Sequence, residues 1–327
     1  MDNDANGLTH ADPDIGNANE GPKLNPKSIP FKPHDIENAI NSRLLGKPGP
    51  VRLALTCLLA HGHLLIDDVP GVGKTTLARA IAEVFDMAFS RIQFTSDMLP
   101  SDILGVSIFD RQNAVFEFRP GPVFTQLLLA DEINRASPRT QSALLESMAE
   151  NQITVEGQTR VMNSAFTVIA SQNGLDQSGT SPLPESQLDR FLMRISLGYP
   201  DRDAEKSLLA EARSDSGPLD ALAREADLAR WRENVRNVHV SDSLADYLLA
   251  LVEASRTAPE FMQGLSPRAG LAIQRAAQAW AFLDGRDFVE PEDVQAVLPA
   301  VVDHRLIFRN AGDEPPSTFL RQQVNLA

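Results

Sequence analysis

The stretch DVPGVGKTT (68–76) constrains this chain more than any other, because it joins the short apolar run HLLID (63–67) to the amphipathic run KTTLARAIAEVF (74–85). The first reads as a strand and the second as a helix. Glycines at 71 and 73 let successive backbone N–H groups turn inward and form a nest for phosphate oxygens. The start of the following helix adds the positive end of its dipole. Val69, Pro70, Gly71, Val72, Gly73, Lys74, Thr75 and Thr76 are therefore the candidate nucleotide cradle. In it Lys74 reaches the terminal phosphates and the Thr75 hydroxyl is a ligand for Mg2+. One position departs from the pattern GxxxxGK[ST]: Asp68 stands where the first glycine belongs. A carboxylate facing phosphate would repel it, so Asp68 is expected to point away.

Around this motif, short buried strands alternate with helices. FSRIQF (89–94), LLLADE (127–132), FTVIAS (166–171) and RISLGY (194–199) read as strands, and PRTQSALLESMAE (138–150) as a helix. Helical patterns also cover about 34–45 and 49–60. The expected class is α/β, with a P-loop core on a parallel five-stranded sheet. SIFDRQNAVFEFRP (107–120) and QITVEGQTRVM (152–162) alternate about polar turns and read as inserted hairpins. After Pro200 only helical patterns follow, among them 243–256 and 267–285. In the second of these, Ser266 is placed to cap, Pro267 to open the helix and Gly285 to end it. The expected organisation is a disordered acidic tail (1–32), an α/β nucleotide-binding domain (33–200), a smaller all-α lid (201–312) and a C-terminal tail (313–327).

At 327 residues the chain has room for about two domains. Its 43% apolar and 23% charged residues are ordinary for a globular protein. The 44 acidic against 30 basic residues, a net charge of −14, disfavour broad contact with nucleic-acid phosphate. The single cysteine, Cys57, excludes an internal disulfide or a cysteine-cluster metal site, and in its apolar helical run it reads as packing. The polar start MDNDANGLTH is no signal peptide, and no 18-residue apolar run exists to span a membrane. The expected setting is cytoplasmic.

Further candidates lie at strand ends. Asp131 closes an apolar strand at the sheet's carboxyl edge, where such sheets bind ligands, and is a second candidate ligand for Mg2+. Glu132 follows it and is placed to orient and deprotonate an attacking water. Asn173, just past FTVIAS, is either a turn residue before Gly174 or an amide that positions that water. Arg190, in QLDRFL (187–192), reads as a partner of Asp189 or as a cation for a neighbouring subunit's phosphate. Arg268 lies in the first turn of a helix, where a cation opposes the dipole, and a nearby phosphate would account for it. His61 and His63 have no third ligand at metal spacing, and Trp231 and Trp280 read as core. No NKxD-type guanine signature occurs, which favours ATP.

With these motifs in order, the chain resembles the MoxR family of AAA+ ATPases over about residues 35–310. The likeness rests on HLLIDDVPGVGKTTLARAIA (63–82), RIQFTSDMLPSDILG (91–105), FRPGPVFTQLLLADEINRASPRTQSALLESM (118–148) and SQNGLDQSGTSPLPESQLDRFL (171–192). It continues in GLSPRA (264–269) and DHRL (303–306). Departures are Ser96 and Ser137, where family members often carry proline, and LLGKPGPV (44–51), in a segment that borders adenine in similar proteins.

The resemblance implies that Lys74 and Thr75 belong to Walker A, and Asp131 and Glu132 to Walker B. It makes Asn173 sensor 1, Arg190 an arginine finger acting in trans and Arg268 sensor 2, brought onto the nucleotide by closure of the lid. The hairpin near 107–118 is similar to the helix-2 insert of this branch. ATP and Mg2+ are the implied ligands. Hexameric rings are the implied assembly, remodelling, maturation or metal insertion of a protein client the implied work, and proteins with a von Willebrand factor A domain the implied partners. The alternatives are a nucleic-acid-remodelling motor, against which the charge counts, and a nucleotide-gated scaffold without turnover, against which Asp131, Glu132 and Asn173 count.

Overall fold

A computed structural model describes residues 32–174, 180–211, 217–310 and 314–324. The expected tail 1–32 lies outside these residues except for Lys32. Two helices, α1 (Pro33–Asn41) and α2 (Pro48–Leu59), lead into β1 (Leu64–Asp67) and α3 (Lys74–Val84). Then come β2 (Phe89–Gln93), α4 (Pro100–Leu104), the hairpin β3 (Gly105–Asp110) and β4 (Val115–Pro120), and β5 (Leu127–Asp131). After a 3-10 turn at Ile133–Arg135 follow α5 (Pro138–Glu150), the hairpin β6 (Gln152–Val155) and β7 (Gln158–Val161), and β8 (Thr167–Gln172). A short α6 (Glu185–Leu188) precedes β9 (Met193–Ile195). The helical part comprises α7 (Arg202–Glu211), α8 (Glu225–Arg236), α9 (Asp242–Thr257), α10 (Pro267–Leu283), α11 (Pro291–Val302) and α12 (Pro316–Gln323).

The five-stranded sheet runs β2-β5-β8-β1-β9 and every pairing is parallel. β5 is buried along its whole length and β8 in all but its last residue, as expected for central strands covered on both faces. Because β5, β8 and β1 are neighbours, the loops that leave their carboxyl ends lie side by side. Local chemistry sets the helix starts. Ser137, Ser241 and Ser266 each cap with the side chain, accepting from Thr140 N, Leu244 N and Ala269 N, and Pro138 and Pro267 open their helices. The Ser137 departure is thereby explained: it is the N-cap of α5. In the β6–β7 turn, Glu156 (φ 53°) and Gly157 (φ 77°) both have positive φ, the backbone a two-residue hairpin needs.

The helical part shares one continuous apolar core with α1, α2, α3 and the adjacent face of the sheet. Leu55 and Leu59 of α2 belong to the same cluster as Ile273, Ala276 and Ala277 of α10. Trp231 is buried between Phe85 and Phe282, and Trp280 is half-buried under the Arg52 guanidinium, 4.4 Å from the ring centroid. Cys57 is fully buried, and burial pushes its thiol up to about 12. Two expectations are corrected. The segment expected as a C-terminal tail carries α12, because Leu320 is fully buried and Phe319 packs edge-on against Phe261 and Phe308. The last strand is shorter than 194–199, because the N–H groups of Leu197 and Gly198 turn to the Asp68 carboxylate instead of a neighbouring strand.

Candidate nucleotide site

At the carboxyl end of β1 the chain turns through residues 68–73 into α3. Gly71 (φ 86°) and Gly73 (φ 102°) occupy left-handed backbone, and a Cβ at Gly73 would lie 2.6 Å from Leu44 Cδ1. The 44–51 segment therefore starts against the loop. Asp68 points away, as its charge requires. Its carboxylate accepts from Val69 N (2.8 Å), Ser196 Oγ (2.8 Å), Leu197 N (2.7 Å) and Gly198 N (2.7 Å). Burial alone would raise its pKa, but these donors outweigh burial and hold it below the usual carboxylate value. The residue that breaks the glycine pattern thus ties the loop to the end of β9. Lys74 is buried, and its Nζ donates to Asp68 O (2.7 Å) and Val69 O (3.2 Å). Thr75 stands beside it in the first turn of α3, half-buried, and Thr76 is exposed.

Register places the remaining candidates. Asp131 ends β5 opposite Gln93 of β2, and Ala130 lies opposite Ala170 of β8. The Asp131 carboxylate pairs with Arg91 at 2.7 Å and accepts from Ser171 Oγ. Glu132 leaves the strand in left-handed backbone (φ 56°, ψ 48°), a strain of about 1–3 kcal/mol for a residue with a side chain. Its N–H donates to Ser171 Oγ (3.0 Å), and its carboxylate takes Arg135 Nε (2.8 Å) and Gln93 Nε2 (2.7 Å). Asn173 follows Gln172, which pairs with Asp67 of β1, so it sits between the β1 and β5 loops. Its carbonyl accepts from Asn134 Nδ2 at 3.4 Å. One edge of the sheet therefore gathers Lys74, Thr75, Asp131, Glu132 and Asn173. The donor set fits ATP with Mg2+: a glycine loop for phosphate, a hydroxyl and a carboxylate of the oxygen type that Mg2+ takes, and a second carboxylate one residue on.

Arg190 and Arg268 lie elsewhere. Both line a cavity of about 350 Å³, together with His61, His63, Arg275 and Arg305. Its wall includes the residues just before β1 and β9, so it stands at the amino ends of those strands. The P-loop is at the other end of β1, about 13 Å along for four residues. In this structure Arg268 therefore lies at the far end of β1 from the P-loop of its own chain, and not at the nucleotide loop to which closure of the lid was expected to bring it. Arg268, exposed at the start of α10, shares a wall with Arg190, because α10 packs on α2. Arg190 Nη1 donates to Leu145 O (2.6 Å). Among the described residues, Arg190, Arg268 and Arg275 have no carboxylate partner.

Residues 63–193 match the ATPase family associated with various cellular activities (AAA), and residues 253–323 match the AAA lid domain. The YeaC protein of Bacillus subtilis is 46% identical over 272 residues, which is 82% of this chain and 84% of that protein. Chaperone MoxR1 of Mycobacterium tuberculosis is 38% identical over 302 residues, 89% of this chain and 80% of that one. The chain belongs to the MoxR family of AAA+ ATPases. A crystal structure from Cytophaga hutchinsonii, described as an ATPase, superposes with a TM-score of 0.82 at 34% identity, covering 89% of this chain and 92% of that one.

In this MoxR-type site several residues escaped the sequence reading. Arg91 and Gln93 alternate on β2, so both face the same side, and they partner Asp131 and Glu132. Ser171 bridges the two acidic residues. The period-two pattern of RIQF was the available signal, but only the pairing of β2 with β5 says what it faces. His63 is a structural link. Its Nδ1 accepts from Val168 N (3.0 Å), and its Nε2 lies 3.1 Å from Met148 O, joining β1 to β8 and α5. Burial, with the charges of His61, Arg232 and Arg268 adding, lowers its pKa to about 4.

Proposed function

We propose that this MoxR-type chain is an Mg2+-dependent ATPase whose catalytic site is completed by a second copy. The carrying observation is the separation of its charged groups. Lys74, Thr75, Asp131, Glu132 and Asn173 gather at the carboxyl edge of the sheet. Arg190 and Arg268 gather in one cavity at the amino ends of β1 and β9. A single chain cannot apply both sets to one phosphate without breaking its core, whereas adjacent copies in a ring can.

In this reading the loop 69–76 binds the phosphates and Lys74 turns from the Asp68 and Val69 carbonyls to them. Thr75 and Asp131 would hold Mg2+, which would supply charge neutralisation at the phosphate oxygens. Glu132, released from Arg135 and Gln93, takes a proton from a water that attacks the terminal phosphorus, while the bond from that phosphorus to the bridging oxygen breaks and ADP leaves with the electron pair. Asn173 orients that water. Arg190 and Arg268 of the adjacent copy stabilise charge on the transferring group; cations in this role contribute on the order of 10³–10⁵ in rate.

Hydrolysis would drive remodelling, maturation or metal insertion of a partner complex, with a hexameric ring, a cytoplasmic setting and a von Willebrand factor A protein as partner. Membership in a family that includes a chaperone supports this reading. Among the described residues no helix is long and apolar enough to cross a membrane. The β3–β4 hairpin offers a grip: Phe109 and Phe116 are 49% and 73% exposed, while Phe118 packs edge-on against Phe124 under Arg160.

ATPase rate per subunit against protein concentration, for wild type and Arg190→Ala, tests the shared site. The rate is expected to climb with concentration in the wild type and to collapse in the variant. A flat profile, with monomers in sedimentation and an unaffected variant, would refute it.

A further inference from the structure

The stretch DHRL (303–306), which follows α11, has no part in the reading above. Its Arg305 side chain is only 5% exposed. From the helical domain it reaches the loop that leads into β9. Nε donates to Asp189 Oδ1 (2.8 Å), Nη2 to Phe191 O (2.6 Å) and Nη1 to Leu192 O (3.2 Å). Nη2 also reaches Asp189 O at 3.4 Å, and Nη1 is held from behind by His304 Nε2 (2.9 Å) and Val301 O. The guanidinium thus grips the residue before Arg190 and the two residues after it. Among the described residues, Arg190 itself has one hydrogen bond outside this loop, to Leu145 O.

Burying a guanidinium is costly unless its donors are satisfied, and replacing a buried ion pair by packed apolar residues is often neutral or stabilising. Stability alone therefore does not call for an arginine here. The planar fork does something an apolar side chain could not: it ties Asp189, Phe191 and Leu192, on either side of Arg190, to the helical domain at once. The same domain carries Arg268 into the same cavity.

We infer that Arg305 is a positioning residue for Arg190. It sets, from the helical domain, where Arg190 is presented to the neighbouring copy, and so makes that copy's rate depend on how the helical domain is seated. The inference rests on the proposed action of Arg190 across the subunit boundary.

Arg305→Lys in the full chain is the test. A single ammonium keeps the charge but cannot span the Asp189 carboxylate and two carbonyls together. The variant is expected to bind a fluorescent ADP analogue and to sediment like wild type, with KM within about twofold and kcat lower by on the order of 10- to 100-fold, as for a reacting group displaced by about 1 Å. Mixed assemblies separate the inference from its premise. Glu132→Gln subunits cannot hydrolyse but retain a well-placed Arg190. Mixed with Arg305→Lys subunits they are expected to restore turnover, because each lends the other what it lacks. The same mixture with Arg190→Ala is the control for the premise.

Recovery with Arg190→Ala but not with Arg305→Lys overturns the inference, and so does a wild-type kcat in Arg305→Lys. Recovery in neither mixture overturns the shared site and the inference with it. If Arg305→Lys does not fold, Asp189→Asn removes only the charged partner of Nε. It is then expected to lower kcat less, with KM unchanged, and an unchanged kcat would overturn the inference.

Discussion

Restoring the glycine that the P-loop pattern calls for at position 68 should damage the protein. The Asp68 carboxylate accepts four hydrogen bonds, three from backbone N–H groups of Val69, Leu197 and Gly198 and one from the Ser196 hydroxyl. A hydrogen bond to a charged group contributes about 1.5–3 kcal/mol when buried, but Asp68 is half-exposed, so about 0.5–1 kcal/mol each is the appropriate scale. Asp68→Gly loses all four and adds backbone freedom worth roughly 0.5–1 kcal/mol in the unfolded chain. The sum is about 2.5–5 kcal/mol, or on the order of 5–20 °C in Tm at the roughly 2–4 °C per kcal/mol of larger domains. Nucleotide affinity should fall as well, because the loop loses its tie to the end of β9.

The pH dependence follows from sign. The folded-state pKa of Asp68 lies below its ordinary value of 3.8, so its contribution is present above that value and is lost as pH falls through the folded one. The stability gap between wild type and Asp68→Gly is therefore expected to be constant from about pH 8 to 5 and to close in stronger acid. Differential scanning fluorimetry across pH, with titration of a fluorescent ADP analogue, measures both. A variant as stable as wild type, or one that binds nucleotide more tightly, would refute the anchoring argument.

Three other outcomes are expected. Glu132→Gln should bind ATP as wild type does and show no phosphate release, and normal turnover would remove Glu132 as the base. Gly73→Ala should weaken nucleotide binding about 5- to 150-fold, since a Cβ meets Leu44 and φ of 102° is strained by about 1–3 kcal/mol; equal affinity in a binding titration would contradict this. His63, held neutral with a folded pKa of about 4 against an ordinary 6.5, contributes stability above pH 6.5 that is lost as pH falls from there towards 4. The loss is on the order of 3 kcal/mol. His63→Gln should flatten that part of the stability profile in urea titrations at several pH values, and an unchanged slope would assign the acid sensitivity elsewhere.

The sequence by itself determined the α/β class, the P-loop and the acidic pair. Each is written in consecutive residues: glycines where φ must be positive, an apolar run that must be a central strand, a serine and a proline where a helix must start. It also required Asp68 to turn away, since that follows from charge alone. Tertiary structure decided what depends on which elements become neighbours. Strand order brings Arg91 and Gln93 of β2 against Asp131 and Glu132, and no spacing along the chain encodes that pairing. Burial of Leu320 and Phe319 turned an expected tail into a packed helix, because a short amphipathic segment is ordered only when a surface is there to receive it. Above all, the packing of α10 on α2 set Arg268 beside Arg190, at the far end of the strands from Lys74. A cation in the first turn of a helix can be read from sequence as waiting for a phosphate. Which subunit's phosphate it waits for depends on where that helix lies in space.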